Sequence, residues 1–81
     1  SVHDYITQSE KKFDIIFYDP PFSLLVNEIN SDLNTIQNLM EKNSKLIIHR
    51  HKSSEQFVYP EGLELYKEKK YGQSNITILK K

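Results

Sequence analysis

The run Phe13-Asp14-Ile15-Ile16-Phe17-Tyr18 is apolar on both faces apart from Asp14. That pattern predicts a central strand covered by helices on both sides. It ends at Asp19-Pro20-Pro21-Phe22. Each proline fixes φ at about −65° and carries no N–H, so the strand stops and the chain leaves it stiffly, presenting carbonyl acceptors. In open α/β sheets ligands bind beyond the carboxyl ends of the strands, which makes the tetrapeptide a candidate site as well as a terminator. Asp19 can accept hydrogen bonds from an exocyclic NH2 group, and Phe22 offers a ring face on which a flipped base could stack. The competing reading is an ordinary strand-ending turn, where Asp and Pro are common for conformational reasons.

The elements on either side support an α/β reading. Ser1 to Tyr5 is too short to be an element, and Ile6 to Lys12 is expected to form a helical turn. Leu25, Ile29, Leu33, Ile36 and Met40 recur at spacings of three and four and draw one apolar stripe along a helix from about Leu24 to Lys42. Ser31 or Asp32 is a candidate N-cap that would restart this helix. Lys45 to His49 reads as a second strand, and a crossover of this length implies parallel pairing with the first. Ser53 to Gly62 reads as a loop. Leu63 to Tyr71 and Asn75 to Lys80 are strand-like and joined by Gly72-Gln73-Ser74, the composition of a hairpin connection. The predicted architecture is β-α-β followed by an antiparallel hairpin.

Eighty-one residues allow one small domain, which buries only about 60% of its unfolded surface. The absence of cysteine excludes disulfides. No basic-then-apolar leader and no run of 18 apolar residues supports secretion or membrane spanning, so a cytoplasmic setting is expected. Net charge is zero but unevenly spread: residues 1–44 hold three Lys against seven Asp or Glu, and residues 45–81 hold eight Lys or Arg against four Glu, a net +4. Acid near the candidate site and base at its rim suits a nucleic-acid substrate, although a run such as Lys67-Glu68-Lys69-Lys70 is more often a solvated face.

Asp-Pro-Pro-aromatic after an apolar strand resembles motif IV of the amino-methyltransferases, which methylate exocyclic or amide nitrogens with S-adenosylmethionine. The order of strand, motif, helix, strand and closing hairpin with Lys69-Lys70-Tyr71-Gly72 is similar to the C-terminal half of the RsmD-type methyltransferases of bacterial small-subunit ribosomal RNA, which act on guanine N2. The resemblance covers nearly all of this chain and about half of such an enzyme. It implies a partial Rossmann-like class I methyltransferase sheet forming the substrate-side half of the domain. It assigns catalysis to Asp19, Pro20, Pro21 and Phe22, and cofactor contact to Asp4, Tyr5 and Asp19. RNA contact, through the basic half, falls to Arg50, Lys52, Lys69, Lys70 and Tyr71. Asp4 otherwise reads as a helix N-cap for Tyr5 onward.

Two departures stand beside the resemblance. The Gly-rich turn and the acidic strand end that hold the cofactor in class I enzymes have no counterpart, since Gly62 and Gly72 are the only glycines. The expectation is therefore a fragment that is inactive alone, with a strand edge at Phe13 to Tyr18 that a homodimer could cover. At His49-Arg50-His51-Lys52 the family more often places a Glu. His-x-His lacks a further ligand at metal spacing, so no metal is expected, and the cluster reads as phosphate-facing or as a solvated strand end. Two alternatives remain open: an adenine-N6 methyltransferase fragment, and a non-catalytic RNA-binding remnant.

Overall fold

The computed structural model describes the backbone of residues 6–8 and the whole of residues 15–81. In chain order the elements are β1 (Ile6–Gln8), β2 (Ile15–Tyr18), α1 (Val26–Leu39), β3 (Lys45–His51), β4 (Glu64–Tyr71) and β5 (Ser74–Lys80). They build one five-stranded mixed sheet in the order β1-β2-β3-β5-β4. β2 and β3 run parallel, with Ile16 opposite Leu46 and Tyr18 opposite Ile48, as the crossover through α1 requires. β5 lies antiparallel between β3 and β4. The β-α-β unit and the closing hairpin are thus as the sequence predicts.

The core lies between α1 and one face of the sheet. Ile29, Leu33, Ile36 and Met40 from the helical stripe meet Ile16, Tyr18, Leu46, Ile48 and Leu79 from alternate strand positions, with Phe57 and Leu63 closing one side. The other face is not covered by a helix among the described residues: Ile15 is 38% exposed and Phe17 46%. Of the helices expected on both faces of β2, the described residues supply one, α1, on one face.

Ile6–Gln8 is a strand, not the helical turn predicted there. It pairs antiparallel with β2, Ile6 opposite Tyr18 and Gln8 opposite Ile16. The ladder groups on the outer edge of β2 need partners, and three extended residues supply them where an isolated helical turn cannot. The same pairing covers the edge on which a homodimer was argued. Asp4 and Tyr5, assigned to the cofactor, and the reading of Asp4 as a helix N-cap, lie outside the described residues.

The helix is shorter than predicted, and it runs unbroken through Asn30-Ser31-Asp32. Leu25 occupies its N-cap position without a side-chain cap. Of the two candidate caps, Asp32 instead accepts the phenol of the buried Tyr18 at 2.6 Å, and the neighbouring Asn30 Oδ1 accepts the Val58 N–H at 2.8 Å. At the other end no basic residue falls in the last turn, yet the Lys81 ammonium donates to the carbonyls of Gln37 at 2.6 Å and Met40 at 2.8 Å. A cation from beyond β5 thereby answers both the orphan carbonyls and the helix dipole. In the hairpin the loop is two residues, not three, since Tyr71 pairs with Ser74. Gly72 takes φ 52° and Gln73 does not go positive, the condition for a type II′ turn, which favours Gly at its first central position.

Candidate active site

The tetrapeptide leaves the carboxyl end of β2 and turns at once into the approach to α1. Pro20 is buried and anchors the turn, whereas Asp19, Pro21 and Phe22 are exposed. The Leu24 N–H donates to the Pro21 carbonyl at 3.0 Å. Of the motif's proline carbonyls, that of Pro20 therefore stays available, with no backbone N–H bonded to it among the described residues. Beside the motif lies a groove of about 480 Å³, bounded by the tetrapeptide, His49, Arg50, His51 and Ser74. Phe22 stands at its rim, 62% exposed, and its ring meets the His51 ring edge-on with centroids 5.2 Å apart.

The parallel pairing of β2 and β3 brings His49 to Asp19, since both strands end at the same side of the sheet. His49 Nδ1 lies 3.1 Å from Asp19 Oδ1, and His49 Nε2 lies 2.9 Å from Ser74 Oγ. With Asp19 ionised and the ring neutral, the network assigns Nδ1–H as donor to the carboxylate and Nε2 as acceptor from the Ser74 hydroxyl. One carboxylate oxygen is then occupied, and Oδ2 is left to meet a substrate N–H. Neither His49 nor Ser74 is among the residues that the sequence analysis assigned. They stand 30 and 55 positions beyond Asp19, and only the sheet order brings them to it.

The predicted nucleic-acid residues divide between two faces. Arg50, Asn75 and Lys70 sit opposite one another across β3, β5 and β4, and with Lys52 they line a second cavity next to the groove. Lys69 falls opposite Ile76, one position out of phase, and Tyr71 opposite Ser74, so both belong to the other face. Arg50 is buried at 7% exposure; desolvation lowers its guanidinium below the ordinary value, with the Tyr18 phenol acting in the opposite direction. Among the described residues no three His, Asp or Glu side chains converge as a metal site would need. Gly62 precedes β4 and Gly72 turns the hairpin, so among the described residues no glycine turn follows β2 or β3.

A family model described as conserved hypothetical protein 95 matches residues 2–80. The chain belongs to that family. The conserved hypothetical protein 95 match spans both β1 and the closing hairpin, and it bears out the RsmD-type resemblance drawn from the motif and the element order. A crystal structure of a provisionally assigned methylase from Haemophilus influenzae superposes on 91% of this chain with a TM-score of 0.68 and 22% sequence identity, which shows the shared fold. The chain spans 46% of the length of that protein. No curated protein matches it. No helix among the described residues is long and apolar enough to cross a membrane.

Proposed function

We propose that this chain is the substrate-side half of a methyltransferase that acts on an exocyclic amino group of a base in RNA, guanine N2 of ribosomal RNA being the favoured target. The observation that carries the reading is Asp19-Pro20-Pro21-Phe22 at the carboxyl end of β2, with Asp19 oriented by His49 over an open groove. Within that groove, Asp19 Oδ2 accepts one N–H of the amine and the Pro20 carbonyl accepts the other. The two acceptors draw the nitrogen toward a pyramidal shape, so its lone pair turns out of the ring. Phe22 provides the stacking face that holds the base in register. Catalysis by such a site is positioning and electrostatics, with no covalent intermediate on the protein. S-adenosylmethionine supplies an electrophilic methyl when bound; residues beyond those described are needed to hold it. A cytoplasmic setting fits a ribosomal substrate.

The test is methyl transfer from labelled S-adenosylmethionine to small-subunit ribosomal RNA by the full-length gene product, followed by nucleoside analysis. N2-methylguanosine supports the reading, and N6-methyladenosine moves the target to adenine. No transfer to either, with RNA binding retained, favours the non-catalytic remnant.

A further inference from the structure

Arg50 is more than nine-tenths buried, and its Nη1 makes no hydrogen bond. No carboxylate among the described residues pairs with it: Asp19, in the neighbouring groove, is held by His49. Leaving a guanidinium buried and unpaired is costly, and buried charges in folded proteins are paired or hold a ligand. Arg50 lines a cavity of about 370 Å³ together with Lys52, Ser54, Glu68, Lys70 and Asn75. Ser54 Oγ and Asn75 Oδ1 are likewise buried without a partner. Glu68 is turned toward the strand, where Thr77 Oγ1 at 3.4 Å and Asn75 Nδ2 at 3.5 Å donate to its Oε2. Glu55 also lines the cavity, so three basic groups face two carboxylates and the surplus charge is positive. The cavity shares Arg50 and His51 with the groove beside Asp19.

We infer that Arg50, with Lys70, Lys52 and the Ser54 hydroxyl, binds a phosphodiester group of the RNA strand whose target base enters the Asp19 groove. The inference rests on the proposed RNA substrate for the choice of ligand. A planar guanidinium donating from Nη1, the ammonium groups of Lys52 and Lys70 and a hydroxyl donor match an anion with several acceptor oxygens. Because Arg50 lines both cavities, the phosphate and the base of one nucleotide both come within reach of that side chain. Phosphate contacts of this kind fix register without reading sequence.

The test is a titration of the 81-residue chain, followed by the Arg50 side-chain Nε–H and the Ser54 and Lys70 amide resonances. Inorganic phosphate, guanosine, guanosine 5′-monophosphate and a short single-stranded RNA serve as probes. Inorganic phosphate, the monophosphate and the RNA are expected to move all three signals, and guanosine, entering only the Asp19 groove, is expected to leave the Ser54 and Lys70 amides in place. Arg50→Gln should weaken the RNA about tenfold or more and lower the slope of log affinity against log salt by about 0.7, the worth of one phosphate contact on a single strand. Lys70→Gln and Ser54→Ala leave the buried core untouched and should each weaken it less. Should Arg50→Gln unfold the chain, these two variants decide the question. Equal weakening by the exposed Lys42→Gln, or shifts spread evenly over all lysines, would overturn the site. A response to inorganic phosphate but not to RNA would overturn the nucleic-acid ligand. Methylation by the full-length protein is scored separately, so RNA held by Arg50 without methyl transfer refutes the proposed activity and leaves the phosphodiester site standing.

Discussion

Replacing His49 by Ala should lower kcat of the proposed methyltransferase about fivefold while leaving the cofactor KM unchanged. The magnitude follows from where the ring sits. A hydrogen bond to a charged group is worth about 1.5–3 kcal/mol when protected, but the side chains of His49 and Asp19 are 43% and 68% exposed. Solvent screening then brings the contact down to about 1 kcal/mol, the upper range for exposed ion pairs, and about 1 kcal/mol is fivefold in rate. What is lost is the fixed orientation of Asp19, not the carboxylate itself. His49→Asn keeps an amide donor at the position of Nδ1 and should restore most of the rate, while Ser74→Ala, one bond further out, should cost about twofold. Steady-state kinetics on ribosomal RNA read these rates, and nitrogen chemical shifts of the 81-residue chain read the ring directly. The Nδ1–H tautomer should dominate in the neutral ring and retreat in Ser74→Ala. An Nε2–H ring in the unaltered chain, or a full rate in His49→Ala, would refute the orienting role.

Asp19→Ala should reduce methyl transfer by about 10² or more with cofactor affinity nearly unchanged, because the carboxylate meets the amine; an equal loss of cofactor binding, read by calorimetry, would contradict that placement. Phe22→Leu should weaken the RNA by about 1–3 kcal/mol, one stacked base, in a fluorescence anisotropy titration. Lys81→Met removes both bonds to the last carbonyls of α1 and should destabilise the chain by about 1–2 kcal/mol, a fall in Tm of roughly 4–16 °C for a domain of this size. The exposed Lys42→Met, followed by the same far-UV circular dichroism melt, should change little. The 81-residue chain should bind S-adenosylmethionine too weakly for calorimetry, since the described residues offer it little beyond the Asp19 loop and cannot offset several kcal/mol of association entropy.

Local pattern made the β-α-β unit legible. Ile29, Leu33, Ile36 and Met40 share one helical face in the sequence and the same face is buried in the structure. The length of the crossover between the apolar runs of β2 and β3 implies parallel pairing, and the strands pair so. Three features escaped because they depend on contacts distant in sequence. Ile6–Gln8 has no strong preference of its own and becomes a strand by filling the edge of β2. Ser31 and Asp32 look like caps when seen alone, yet Asp32 is claimed by Tyr18 from across the core. The motif Asp19-Pro20-Pro21-Phe22 was readable as a site, but its companions were not: His-x-His drew attention to metal and phosphate, and nothing in the sequence ties His49 to Asp19. Alternation along a strand also explains the fate of the basic run, where neighbours Lys69 and Lys70 must part to opposite faces.

Ser74 is at once the first residue of β5 and the partner that closes the hairpin against Tyr71. Its hydroxyl reaches His49 only if the turn before it keeps its shape, and that shape hangs on the positive φ of Gly72. The tip of the hairpin is therefore a tuning point for the motif at the far end of β2. A β-branched residue at Gly72 would shift the strand's first rung and carry Ser74 with it. Selection on the chemistry would then register at a glycine that touches neither substrate nor carboxylate.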